Sequence, residues 1–376
     1  MVNMVITYEH LISFILAFIV ALCATPIAKK IAVKLGAVDI PKDDRRVHKK
    51  PIARLGGLAI VTGFFMAILF NIFNDMANDS IYFALNKQMK GLLAGILIIV
   101  AVGMVDDIYQ LKAKVKLVFQ IIAAVIVVAS GTKIEVIYGI TEISPYITIP
   151  LTICWIVGIT NAINLIDGLD GLAAGVSSIA SLSLFFVSLI FNRLDAAIIT
   201  AILAGSTLGF LPYNFNPAKI FMGDTGSTFL GFTLAVISIQ GTLKSYTLVA
   251  IAIPLLVLGL PLFDTIFAVL RRLVSGKSIM EADRGHLHHK LIDMGLSQRQ
   301  SVVAMYAASG ALGLCAVVLA GKGAISAIIM ISAVSIFIIG GAKYMSDMSD
   351  SDEDEEIEDD EKKMNSQINI KHEGIK

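Results

Sequence analysis

Apolar runs close to bilayer length recur through almost the whole chain, and nothing else in the sequence constrains its fold so strongly. A helix needs roughly 20 apolar residues to cross a membrane, and runs approaching that length recur from Leu11 to Ala342. Only 16% of the 376 residues are charged, against about a quarter in a soluble domain. The expected fold class is therefore an all-α polytopic membrane protein.

Hydropathy places about eleven transmembrane helices. They lie near 11–28, 52–73, 90–105, 115–131, 147–163, 169–191, 196–213, 226–241, 246–270, 301–320 and 324–343. No small-residue cleavage site followed by a soluble domain comes after the first run, so it reads as a spanning helix rather than a signal peptide. Basic residues set the orientation, because positive loops stay in the cytoplasm. One side carries Lys29, Lys30, Lys34, Lys42, Arg45, Arg46, Lys49 and Lys50, then Lys112, Lys114, Lys116, Lys219, Arg271, Arg272, Lys277, Arg284, Lys290 and Arg299. The other carries Lys87, Lys133, Arg193, Lys244 and Lys322. The N-terminus is thus expected outside and the C-terminus in the cytoplasm. Residues 1–343 form the membrane-embedded domain, and 344–376 form an acidic, disordered cytoplasmic tail. Cys23, Cys154 and Cys315 all sit in apolar segments, with no zinc or disulfide spacing.

The polar clusters with chemical potential all fall on the inner rim. Asp106 and Asp107 end the third span, and Lys112, Lys114 and Lys116 follow. Adjacent carboxylates there are costly unless hydrated, paired or bound to a cation. A hydrated helix-end pair is the plain reading. A magnesium or acid–base site is the sharper one, since Mg²⁺ favours carboxylates together with phosphate oxygens. Asn161, Asn164, Asp167 and Asp170 recur every third residue, which on a helix drifts only about 60° per step. Gly168 and Gly171 point instead to a tight turn, and either arrangement gathers amides and carboxylates at the membrane surface. In the segment from Asn214 to Ser227, Gly223 and Gly226 permit close backbone approach to a ligand. Asp224 there is poised to face a metal and Phe221 to stack on a flat base; the plain alternative is a turn with a helix cap. Arg284, His286, His288 and His289 suit a transition metal or phosphate and proton exchange. The absence of cysteine and the carboxylates elsewhere favour diphosphate. Arg45, Arg46, His48 and Arg54, with Pro51, Gly56 and Gly57, form a shaped basic loop. It suits anionic headgroups or the phosphate of a lipid substrate.

The segments RRVHKKPIARLGG, GMVDDIYQLKAKVKLVFQ, NAINLIDGLDGLAAG, NFNPAKIFMGDTGSTFLG and ADRGHLHHKL occur in this order between about Asp39 and Gly295. Together they resemble the polyprenyl-phosphate N-acetylhexosamine-1-phosphate transferase family (glycosyltransferase family 4). The RGHLHH form resembles its bacterial branch that joins UDP-GlcNAc to undecaprenyl phosphate. The resemblance implies transfer of N-acetylglucosamine 1-phosphate to undecaprenyl phosphate with release of UMP, the first membrane step of a teichoic-acid or O-antigen type polymer. Phospho-MurNAc-pentapeptide or another UDP-N-acetylhexosamine is the alternative donor.

It further implies Asp224 as a direct Mg²⁺ ligand, with Mn²⁺ as a substitute, and Asn164 as a second metal contact. Asp106 and Asp107 match the paired catalytic acids, and Lys116 a phosphate-binding lysine. Phe221 would stack on uracil with Asp167 and Asp170 near the nucleotide. Arg284, His286, His288 and His289 would bind the sugar or diphosphate, and His48 belongs to the substrate-binding set. The expected setting is a bacterial plasma membrane with the site on the cytoplasmic side. No nucleic acid is expected as a partner, and a homodimer is compatible with the sequence. An ion-coupled transporter is the rival from another class, but its carboxylates belong near the membrane midplane. A metal-dependent hydrolase of lipid diphosphates would need no nucleotide pocket.

Overall fold

The structure, a computed structural model, describes residues 6–40, 51–78, 85–134, 144–242, 248–274 and 286–322, with 325, 326 and 332 beyond them. His48 and Arg284, most of the span expected at 324–343 and the acidic tail lie outside the described residues. The chain divides into two compact units, Met1–Ala324 and Ile325–Lys376, and every element named below belongs to the first.

In chain order these are α1 (Tyr8–Leu35), β1 (Val38–Asp39), β2 (Ile52–Ala53), α2 (Gly57–Asn78), α3 (Lys87–Tyr109), α4 (Ala113–Ala129), α5 (Pro145–Ile166), α6 (Leu172–Ile190), α7 (Leu194–Asn214), α8 (Gly223–Thr242), α9 (Leu248–Val257), α10 (Gly259–Val274), α11 (Leu287–Asp293) and α12 (Gln298–Lys322). Hydrocarbon offers no partner for backbone N–H and C=O, so apolar runs of this length pair them internally as helices. Among the described residues, seven helices are long and apolar enough to cross a membrane: α1, α2, α3, α5, α6, α7 and α12. The single span expected at 246–270 is instead α9 and α10, separated at Leu258. Pro254 and Pro261 flank the break. Neither can donate a helical hydrogen bond, and Pro261 fits comfortably only in the first turn of a new helix. The short helix α11 was not expected from hydropathy.

The helices pack through small residues, as expected where lipid supplies no hydrophobic force between them. On α1 the buried face is Ser13, Ala17, Ala21, Thr25, Ala28 and Ala32, while Ile12, Ile15, Ile19, Ile27 and Ile31 remain exposed on the face suited to acyl chains. Gly205 and Gly209 of α7 lie against the backbone of α1 at Phe14 and Phe18. Intramembrane hydroxyls bond back to their own helices: Thr25 to the Ala21 carbonyl at 2.7 Å and Thr233 to that of Phe229 at 2.7 Å.

Alternation of helix direction brings the C-terminal ends of α1, α3, α5 and α7 to one rim, together with the N-terminal ends of α2, α4, α6 and α8. Contacts across that rim are polar and specific. The Gly57 N–H donates to the Met222 carbonyl at 2.7 Å, and the Gly56 N–H to that of Phe221 at 2.9 Å. Phe221 N–H in turn donates to Ala53 at 2.8 Å, extending the antiparallel β1–β2 pair towards α8. A Cβ on Gly57 would overlap the Gly226 backbone and lie 2.7 Å from the Thr225 carbonyl carbon.

Those neighbours are main chain and cannot turn aside, so Gly57→Ala should destabilise the protein by about 1–3 kcal/mol. A thermal unfolding midpoint in detergent equal to that of the wild type would count against this close approach.

Candidate active site at the rim of the bundle

Asp107 joins the two halves of the site. It sits at the C-terminal end of α3, where helix carbonyls make a negative charge unfavourable. Its Oδ1 accepts the Asp224 N–H at 2.8 Å, and its Oδ2 accepts the Thr225 N–H at 3.0 Å and the Thr225 hydroxyl at 2.6 Å. The two N–H groups are unpaired first-turn donors of α8, so Asp107 caps that helix from another part of the chain. Two glycines make the contact physically possible. A Cβ on Gly103 would lie 2.6 Å from the Thr225 Cα, and Gly223 has φ +71 with a Cβ position 2.6 Å from both Asp107 carboxylate oxygens.

Capping leaves the Asp224 side chain at the head of α8. Its Oδ2 accepts from Lys116 Nζ at 2.6 Å, and Lys116 also reaches Asp106 Oδ2 at 3.2 Å. Asp106 Oδ1 accepts the Leu111 N–H at 2.7 Å, closing the turn after α3. Oxygens of Asp106, Asp107 and Asp224 lie within 4.8 Å of one another. This all-oxygen donor set, with Asp224 part-exposed, fits a hard divalent cation such as magnesium. Asn164, at the end of α5, donates to Ser227 Oγ at 2.8 Å, and Ser227 donates to the Gly223 carbonyl at 3.1 Å. This chain ties α5 to the same helix start.

Beside these acids opens a cavity of about 820 Å³, within the usual size of small-molecule sites. Its walls include Arg54, Asn164, Asp167, Asp170, Phe221, Asp224 and His289. The spacing of Asn161 and Asn164 is helical, and the chain turns only after Asp167, the C-cap of α5. Gly171 begins α6 at φ +81, a left-handed conformation suited to glycine. Asp170 Oδ2 accepts the Ala218 N–H at 2.9 Å and Asn216 Nδ2 at 3.1 Å, and Asn216 also donates to Gln298 at 2.8 Å. Asp170 therefore shapes the wall leading to Phe221. Asp167 is half-buried, and its carboxyl is pushed up to about 8 by burial first, then by the charges of Asp224, Asp107 and Asp170.

The histidines separate into different environments. His286 Nδ1 lies 2.8 Å from Asp264 Oδ2, and Asp264 Oδ1 accepts the Leu287 N–H at 2.7 Å. That pair tethers α11 to α10. His288 is 2% exposed, with Nε2 2.8 Å from the Cβ position of Gly168. Burial first, then the neighbouring His289, lowers it to about 4, so it is neutral near pH 7. Of these three, only His289 lines the cavity. Lys116 lies outside the cavity wall and instead borders a small cleft with Ile99, Val102, Phe119 and Gln120. The sequence reading assigned no role to Asp264 or Gln298. An acid inside the apolar run at 246–270 was the available signal for Asp264; Gln298 had none.

Asp107→Asn should cost about 2–3 kcal/mol of stability, because a single amide oxygen cannot accept all three bonds; an unchanged thermal midpoint would exclude the cap. Asp167 supplies a pH test. Its folded-state value lies above the ordinary unfolded value of about 3.9, so between the two the folded chain holds more protons. Its contribution is complete below pH 4 and is lost as pH rises towards 8. With chelator present, the midpoint should fall less over this interval in Asp167→Asn than in wild type. Identical slopes would refute the assignment.

The family described as Glycosyl transferase family 4 matches residues 89–242, which hold the paired acids, the Asn164–Asp170 turn and Asp224. A Bacillus subtilis (strain 168) protein named a probable undecaprenyl-phosphate N-acetylglucosaminyl 1-phosphate transferase is 43% identical over 340 residues, covering 88% of this chain and 90% of that protein. A Mycolicibacterium smegmatis decaprenyl-phosphate N-acetylglucosaminephosphotransferase is 35% identical over 315 residues, 77% of each chain. A Yersinia pestis undecaprenyl-phosphate alpha-N-acetylglucosaminyl 1-phosphate transferase is 30% identical over 314 residues, 78% of this chain and 79% of its own. With identity at this level sustained over most of each protein, the chain belongs to glycosyl transferase family 4.

Proposed function

We propose that this protein transfers N-acetylglucosamine 1-phosphate from UDP-GlcNAc to undecaprenyl phosphate and releases UMP. The observation that carries this reading is the gathering of Asp106, Asp107 and Asp224 beside a cavity that also presents Phe221 and His289. The names of its relatives support the transferred group and the polyprenyl acceptor. We place the enzyme in a bacterial plasma membrane with about eleven spans, residues 1–343 forming the membrane domain and 344–376 a cytoplasmic tail. The N-terminus is outside and the catalytic rim faces the cytoplasm, where positive loops are retained. The product would start a cell-envelope polymer of teichoic-acid or O-antigen type. A homodimer is compatible with this arrangement.

Asp224 and Asn164 are the proposed magnesium contacts, with Asp106 adjacent. Magnesium held there would supply positive charge to the diphosphate oxygens. Phe221 would stack on uracil, while Asp167 and Asp170 shape the nucleotide wall. His289 would meet the sugar–diphosphate, with His288 and His286 packed in series beside it; Arg284 and His48 complete the proposed substrate set. Lys116, paired with Asp224 outside the large cavity, would hold the lipid phosphate. The acceptor is already ionised near neutral pH, so direct attack needs no strong protein nucleophile. An acceptor oxygen bonds to the donor's β-phosphorus as the bond to the bridging oxygen breaks, and the electron pair leaves with UMP. Much of the acceleration then comes from alignment and from offsetting the repulsion of two anions.

Purified protein supplied with UDP-GlcNAc, undecaprenyl phosphate and Mg²⁺ should release UMP only when the lipid is present. Donor hydrolysis without lipid would contradict a transferase. Asp224→Ala should lower turnover by at least about a thousandfold while leaving the protein folded. Activity retained at saturating Mg²⁺ would remove Asp224 from the metal site. A panel of UDP-sugars tests the donor assignment.

A further inference from the structure

We infer that Arg54 is a phosphate-binding catalytic residue that grips the diphosphate of the nucleotide-sugar donor. Arg54 follows β2 and immediately precedes the Leu55-Gly56-Gly57 approach to α8. The Arg54 N–H donates to the Ala37 carbonyl at 3.0 Å, and a Cβ on Gly223 would meet the Arg54 carbonyl. Its backbone is therefore held from both sides. Its side chain is only 20% exposed and lines the cavity with Asp167, Gly223 and Asp224.

The guanidinium is held but poorly satisfied. Among the described residues its polar contact is Nη2 to Asp107 Oδ1 at 3.5 Å, long for a hydrogen bond. Asp107 already accepts two backbone N–H groups and a hydroxyl, which leaves room for one further donor at Oδ1. An arginine has five N–H donors in a planar fork. Placed in a part-buried cavity with those donors almost unused, it matches a bidentate phosphate. The nearby carboxylates hold the cation in place without filling that fork.

Geometry also selects which phosphate. Arg54 and Lys116 approach the Asp224 region from different sides. Lys116 borders a narrow cleft with Ile99, Val102, Phe119, Gln120 and Thr228, outside the large cavity. Arg54 borders the large cavity with Phe221, Asp170 and His289, a polar and aromatic setting suited to a nucleotide sugar. As the bond from the β-phosphorus to the bridging oxygen breaks, negative charge grows on the departing UMP phosphate. A fixed fork of donors on that side offsets the charge without moving.

The inference rests on the donor reading above. Its test uses the full-length enzyme in detergent, with UDP and uridine as binding probes and steady-state kinetics for both substrates. Arg54→Lys keeps the charge but loses the fork; Arg54→Met keeps much of the apolar stem. Wild type should prefer UDP to uridine. Both variants should bind UDP at least about tenfold more weakly with uridine affinity unchanged. The donor KM should rise and kcat should fall, with the lipid KM unaltered. A full UDP-over-uridine preference in both variants overturns the role of Arg54. A KM increase confined to the lipid overturns it too and transfers Arg54 to the acceptor phosphate. Wild-type enzyme that binds UDP no better than uridine would defeat the donor reading itself.

Discussion

A carboxylate at the unfavourable end of one helix caps the start of another, and the rest of the rim depends on that exchange. Asp107 ends α3, where the helix carbonyls repel it, yet it accepts bonds from the first turn of α8. The exposed N–H groups and positive end of α8 offset both the burial and the local repulsion. The same contact fixes the direction of Asp224, which leaves α8 towards Lys116 and the cavity. Gly57, Gly103 and Gly223 let the backbones come close enough for the cap to form. Catalytic placement and helix packing are therefore one structural problem here.

The arrangement also distributes charge with purpose. Two anionic substrates must meet beside several aspartates, and the cations approach from opposite sides. Lys116 pairs with Asp106 and Asp224 outside the large cavity, whereas Arg54 stands beside Asp107 on the cavity wall. Neither is a loosely solvated surface charge, so each exerts its field at reduced dielectric. Asp170 does a different job. Its Oδ2 accepts from Ala218 and Asn216, which makes it a builder of the cavity wall.

The histidine segment shows how similar residues acquire unlike roles. Asp264 holds His286 and the start of α11. His286 and His288 are stacked, with ring centroids 5.7 Å apart, and His288 lies 4.3 Å from His289. His288 is buried and neutral, while His289 reaches the cavity. From the Asp264–His286 pair, packed rings lead to His288, which lies against Gly168.

The sequence by itself determined the helical membrane architecture, the approximate positions of helices α1 to α8 and the gathering of polar clusters at one rim. Bilayer length, backbone satisfaction and the cost of charge in hydrocarbon are local constraints, legible in Leu11–Ala21 or in Asp106–Lys116 without a fold. Hydropathy joined 246–270 into one span, which the fold breaks at Leu258 between Pro254 and Pro261. Tertiary structure decided what each polar residue does. Asp106 and Asp107 are neighbours in the chain, yet one closes the turn to Leu111 and the other caps α8, 117 residues away. His286 and His288 are both buried, but His286 pairs with Asp264 while His289 reaches the cavity, and these partners depend on what packs against them. Arg54 reads in the sequence as part of a basic loop suited to lipid headgroups or a lipid phosphate; the fold sets its guanidinium beside Asp107 on the wall of the large cavity. Such roles depend on which distant groups exhaust a side chain's bonding capacity, and only the folded chain brings those groups together.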